Sequence, residues 1–144
     1  MGIYTRYKKS PDGFRQLVEL LESTPSIRRK KMIDAGMAED PEYTEEAMKF
    51  VFTFEDVLAL PDNEMAELVN QVPPRVTAFA IAKLNDDVKD RMYRCGNPRM
   101  VSEVKEYLSG NVEMRDIGGA QLKMVEALRK LEKRGMIKTK RIPA

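Results

Sequence analysis

The sequence predicts an all-α protein, an α-solenoid or irregular bundle of short helices in two units. Three observations point there. Apolar residues recur at helical spacing along nearly the whole chain. Cap-plus-proline starts recur, at Thr24-Pro25, Asp40-Pro41 and Asn97-Pro98. Strand signals are almost absent, and the links between helical stretches run to two to five residues, too short for βαβ crossovers.

The elements follow in order. Asp12 is placed to cap a helix with Phe14, Leu17, Val18 and Leu21 on one face. Thr24 is expected to cap the next, with Pro25 at its first position and Ile27, Met32, Ile33 and Met37 as its face. Asp40-Pro41 starts a third helix that runs to about Phe50. Phe50, Phe52 and Phe54 then alternate with Val51 and Thr53, which reads as a short strand or an extended link between two packed bodies. Glu55 to Leu58 forms a helical turn before Pro61, and Asp62 begins a helix carrying Met65, Leu68, Val69 and Val72. Pro73-Pro74 breaks it, and Val76, Phe79, Ala80 and Ile81 begin the next. Asn85 caps a helix with Val88, Met92 and Cys95, which Gly96 ends in a left-handed conformation. Asn97-Pro98 opens a helix with Val101, Val104 and Leu108, stopped by Gly110. The last helix, from about Asp116 to Arg134, shows Ile117, Ala120, Met124, Leu128 and Leu131 before Gly135. Gly118-Gly119 weaken its first turn by about 1 kcal/mol each relative to alanine. Eight or nine helices result. Most of the ten methionines fall on apolar faces, where they fill irregular gaps.

The chain has 144 residues, 42% apolar and 33% charged, enough for a core without disulfide or metal staples. With no histidine and one cysteine, it lacks the means for imidazole acid–base catalysis, Cys–His pairs and Cys/His zinc sites. Cys95 reads as a small buried apolar residue. No enzyme motif, cofactor loop or metal cluster stands out, so a non-enzymatic interaction protein without cofactors is expected. No apolar run approaches 18 residues and the N-terminus has no secretory signal, which predicts a cytoplasmic protein.

Net charge is +2, but charge is segregated along the chain. Residues 1–33 carry eight basic and three acidic side chains, and residues 34–70 carry one and eleven. Residues 129–144 carry seven and one. This pattern predicts a dipolar solenoid suited to head-to-tail pairing or to a charged partner.

The stretch Phe52-Thr53-Phe54-Glu55-Asp56, followed by Val57-Leu58, resembles the FliG family of flagellar motor switch proteins. That family carries Met-Phe-Val-Phe-Glu-Asp here; Val51 replaces its Met and Thr53 its Val. The likeness runs without a gap from Asp12-Gly13 through Lys30-Lys31 and Asp40-Pro41-Glu42, then through Ala78, Ala80, Asp86, Arg99, Lys105 and Leu108. After a short deletion near Gly110-Asn111 it resumes at Met114 and continues to Ile137, covering about residues 12–138.

The resemblance implies the C-terminal region of that family: an armadillo-like right-handed superhelix, a Phe-rich hinge and a six-helix unit. It divides the chain into an N-terminal tail (1–10), a first armadillo-like unit (11–50), a hinge (51–54), a C-terminal helical unit (55–138) and a basic tail (139–144). It also implies a truncated paralogue acting in flagellar rotation and switching, with FliM-like or stator-like protein partners. A homo-oligomer through armadillo-like stacking is a further expectation, as is peripheral attachment to the inner membrane through a motility complex. The family's charged, stator-facing helix carries over in part. Its Lys falls at Ala82, with Lys83 beside it; Arg99 and Glu106 are kept; Tyr107 replaces an acid; the last Arg falls near Glu113 or Arg115. The expected site is therefore Lys83, Arg99, Glu106 and Arg115 as a charged partner face, and Phe50, Val51, Phe52, Thr53 and Phe54 as hinge and partner packing.

A second reading comes from Leu128 to Ile137, which is similar to the last helix of a winged-helix nucleic-acid binder entering its first wing strand. The basic tail suits phosphates. The few residues after Ile137 and the acidic segment 34–70 count against it.

Overall fold

The fold is all-α. The structure, a computed structural model, describes residues 2–143. Ten helices occur among them: α1 (Ile3–Lys9), α2 (Gly13–Ser23), α3 (Ser26–Glu39), α4 (Pro41–Met48), α5 (Phe54–Leu58), α6 (Asp62–Gln71), α7 (Pro74–Ile81), α8 (Asp86–Cys95), α9 (Pro98–Leu108) and α10 (Met114–Lys133). No strand is present among the described residues. The winged-helix reading fails on that point: after α10, Ile137 is buried in coil and the Lys138 N–H donates to Glu64 Oε2 at 2.8 Å. The backbone group a wing ladder would use is held by a side chain.

The chain forms two compact units. Unit 1 comprises the described residues of Met1–Phe52 with those of Lys140–Ala144, and unit 2 is Thr53–Thr139. In unit 1, Leu17, Val18 and Leu21 of α2 are fully buried with Tyr4, Ala47, Val51 and Ile142. Each buried aliphatic side chain contributes about 1.5–3 kcal/mol. Phe14 links this core to Tyr43 and Phe50 by edge-on ring contacts, each with centroids 5.7 Å apart.

The segment 1–10 contains a docked helix where a tail is expected. The Tyr4 hydroxyl donates to the Met32 carbonyl at 2.5 Å. Glu39 accepts the Thr5 N–H at 2.6 Å and the Thr5 hydroxyl at 2.9 Å, satisfying an orphan donor of the first turn of α1. Gly13 is required where α1 meets α2, because a Cβ there would lie 1.6 Å from the Tyr7 carbonyl oxygen. The basic tail also takes up structure: Ile142 enters the unit 1 core and Lys140 Nζ donates to the Val51 carbonyl at 2.9 Å.

This return of the chain overturns the dipolar reading. Counted by unit, unit 1 holds eleven basic and nine acidic residues, and unit 2 holds fourteen of each. Blocks that are segregated in sequence are mixed by folding, and the charge asymmetry that remains is local.

Several caps form as predicted. Asp40, Asn85 and Asn97 accept the N–H of Tyr43, Val88 and Met100 at 3.2, 3.0 and 2.8 Å. Others differ. Asp12 makes no side-chain cap bond. Thr24 does not cap α3; it ends α2, its hydroxyl donating to the Leu20 carbonyl at 2.6 Å. Gly96 ends α8 in extended backbone at φ −92°, without a left-handed turn, whereas Gly135 follows α10 at φ +80°. The methionines divide: Met65, Met92, Met100 and Met124 are buried, while Met37, Met48, Met114 and Met136 are exposed.

In unit 2, α10 packs chiefly on α7, which also packs on α9. The Gln121 side chain of α10 donates to the Ala80 carbonyl at 3.0 Å, capping the end of α7. Asn70 of α6 accepts both the backbone and side-chain N–H of Asn97 at 3.0 and 3.1 Å, fixing the start of α9.

Candidate functional site

The link between units is built from the Phe-rich segment. Phe50 is half-buried, Val51 and Phe52 are buried, and residues 51–53 run as coil between α4 and α5, with Thr53 in extended backbone. Phe50 and Phe52 belong to unit 1, Thr53 and Phe54 to unit 2. Each side of the crossing is pinned within its own unit. On the unit 1 side, the Phe52 N–H donates to buried Glu22 Oε1 at 2.9 Å. On the unit 2 side, Thr53 and Asp56 form a reciprocal capping box on α5, with the Thr53 N–H donating to Asp56 Oδ2 at 2.8 Å.

The chain crosses back between Thr139 and Lys140, and that crossing is pinned in the same manner. Glu64, buried on α6, accepts the Lys138 N–H and, at 2.5 Å, the Thr139 hydroxyl. Lys140, with φ +49°, then reaches the Val51 carbonyl. Glu22, Glu64 and Lys140 are not singled out by the sequence reading. Their available signal is that Glu22 lies four residues after Val18, and Glu64 four before Leu68, so both carboxylates occupy apolar helix faces. A buried carboxylate needs donors, and these two find backbone N–H groups at the crossings.

Two arginines, equally unremarked in the sequence, brace the neighbouring turns. Arg29 donates to the carbonyls of Leu21, Glu22 and Thr24 at 2.7, 3.1 and 3.0 Å, satisfying the C-terminal end of α2. Arg91 donates to the carbonyls of Leu58 and Leu60 and to Asp62 Oδ1 at 2.9 Å, fixing the α5–α6 turn.

The charged candidates are placed unequally. Arg99 and Glu106 lie on α9 with Glu103 between them, at i, i+4 and i+7, one side of the helix. Met100 and Val104 are buried on its other side. Arg99 Nε pairs with Glu103 Oε1 at 3.1 Å, with the Arg99 side chain 89% exposed, so the pair is worth about 0.3–0.5 kcal/mol and is easily exchanged for a partner. Glu106 is exposed. Tyr107 is exposed and meets Phe79 edge-on at 6.3 Å. Lys83 is exposed in the link after α7. Arg115 pairs with Glu113 at 3.0 Å and lines a groove between α7 and α10. Neither Lys83 nor Arg115 bonds to the α9 charges among the described residues. The four predicted charges therefore do not form one bonded cluster; α9 itself holds the compact set.

Cys95 is half-buried, not buried as expected, with its thiol 3.9 Å from Asp62 Oδ1. Burial, then the Asp62 charge, pushes the thiol pKa up, which disfavours the nucleophilic thiolate. No group of residues suited to hold a metal ion occurs among the described residues. No helix among them is long and apolar enough to cross a membrane.

These features define a class: a helical module in two units, joined by an aromatic link whose two ends are pinned, with exposed charge on α9. The chain belongs to the FliG C-terminal domain family, whose model matches residues 34–138. It is 28% identical over 138 residues to the flagellar motor switch protein FliG of Thermotoga maritima, covering 94% of this chain and 41% of that protein. To FliG of Bacillus subtilis it is 27% identical, covering 93% and 40%. The chain thus spans about two fifths of the length of the curated relatives it matches. Among solved structures it is similar to FliG residues 86–343 from H. pylori, with TM-score 0.63, 20% identity and coverage of 94% and 65%. It is also similar to full-length FliG from Aquifex aeolicus, with TM-score 0.55, 25% identity and coverage of 90% and 41%.

Proposed function

We propose that this protein is a non-enzymatic interaction module of a flagellar motor switch, acting in rotation or its reversal through protein partners of the FliM or stator kind. The observation that carries the reading is the family match over 34–138, which spans both the aromatic link and the α9 charges. Arg99, Glu103 and Glu106 form the partner face. Their mutual pairing is weak, so a partner's opposite charges replace it at little cost and set on-rate and partner choice more than affinity. Residues 51–54 act as the hinge, with Glu22 and the Thr53–Asp56 box as the stops from which its two ends are released. Loss of charge at Ala82 and Tyr107 makes this face weaker than the family pattern implied by the resemblance.

Deleting the gene and restoring it with variants tests the reading. Deletion is expected to change swimming or reversal frequency with flagella still assembled. The double reversal Arg99→Glu with Glu106→Lys is expected to leave folding intact and fail to restore the parent behaviour. Unchanged motility after deletion, with flagella intact, would falsify it.

A further inference from the structure

Away from α9, the seam between α7 and α10 opens into a groove of about 380 Å³. Val72, Val76 and Leu131 line it with apolar surface, and Lys123, Lys130 and Arg134 line it with positive charge against one acid, Glu126. A smaller groove of about 170 Å³ shares Val76 and Lys123 and adds Arg75 and Arg115 against Asp116. Lys123, Lys130 and Arg134 are exposed and have no ion-pair partner among the described residues. A partner complementary to this seam carries several carboxylates around an apolar side chain.

The chain itself carries that complement. On α4, Glu42, Glu45 and Glu46 lie at i, i+3 and i+4 and are all exposed. Met48, three residues beyond Glu45, is 41% exposed, an adaptable apolar anchor beside the acids. Glu42 and Glu45 have no ion-pair partner among the described residues, and Glu46 has an exposed pair with Lys49 at 2.9 Å.

We propose that the α7–α10 seam of one copy receives the α4 face of a second copy, with Met48 in the apolar groove and Glu42 and Glu45 against Lys123 and Lys130. The contact uses two different surfaces, so it is heterologous and propagates head to tail. It goes beyond the motor-switch reading and does not depend on it, since neither surface includes the α9 charges.

Sedimentation velocity of the full chain across a concentration series tests it. Concentration-dependent association is expected, weakening at least about tenfold between about 0.1 M and about 1 M salt. Lys123→Glu with Lys130→Glu is expected to abolish it, as is Glu42→Lys with Glu45→Lys. Mixing these two variants is expected to restore association between them. All four changes are at exposed positions, and thermal melts check that each variant keeps its fold; the Gln versions at the same positions replace any that does not, with weakening as the readout. A chain that stays monomeric at low salt overturns the proposal. So does association indifferent to both pairs of changes, or reversed variants that fail to associate when mixed.

Discussion

At the scale of single residues, the buried carboxylates do the most. Glu22 is 3% exposed and accepts the N–H of Phe52, the last residue of unit 1 before the chain crosses. Removing it leaves a buried amide without its acceptor, a loss of about 1–3 kcal/mol. Glu22→Ala is therefore expected to lower the urea midpoint of unit 1, and Glu22→Gln, which keeps an acceptor oxygen, to recover part of the loss. Equal losses in the two variants would show that charge, and not the Phe52 bond, is what Glu22 supplies. In sequence these glutamates are visible as carboxylates at apolar-face positions. Their partners are not, because Phe52 is 30 residues from Glu22 and Lys138 is 74 from Glu64.

At the scale of elements, the helices most legible in sequence are those with local instructions. Helices α4, α8 and α9 carry Asp or Asn caps that bond three residues ahead, and such a cap works wherever the helix ends up. By contrast, α1 has a single buried residue, Tyr4, and its anchors are Met32, Glu39 and Asp40, roughly thirty residues away. No periodicity announces it. Thr24 misleads for a local reason: Leu20, four residues back, offers a carbonyl at the end of α2, and the hydroxyl takes it in preference to capping α3. In α10, a methyl group at Gly118 would meet nothing within 4 Å, so no packing explains the glycine. Gly118→Ala is expected to stabilise unit 2 by about 1 kcal/mol in thermal or urea unfolding. A destabilisation there would mean that close approach, and not helix propensity, governs the position.

At the scale of the molecule, two covalent crossings join units that are each nearly neutral. Unit 1 has its own acid sensitivity. The hydrogen bond from Lys8, with the Tyr43 N–H, holds Asp40 below its ordinary pKa. Burial pushes Glu39 upward, but hydrogen bonds from Thr5 and Tyr4 outweigh it and the net shift is downward. A carboxylate depressed in the folded state contributes stability above its unfolded pKa, about 4, and loses it as pH falls through the folded value. The urea midpoint of unit 1, followed by tyrosine fluorescence in this tryptophan-free chain, is expected to hold from neutral pH to about 5 and fall below about 4. Asp40→Asn is expected to flatten that fall, and an unchanged slope would remove Asp40 from the account.

The sequence by itself determined the helical class, most helix starts and stops, the aromatic link and the family. These rest on signals within a few residues of one another, namely periodicity, caps, prolines and the register of a long likeness. Only the tertiary structure decided that residues 3–9 form a docked helix, that the C-terminal residues return to the core of unit 1, and that the charge blocks mix. It also decided which charges stand together along the α7–α10 seam. The physical reason is distance along the chain: a hydrogen bond or an ion pair between residues tens of positions apart has no local signature, and it exists once hydrophobic burial has brought its ends together.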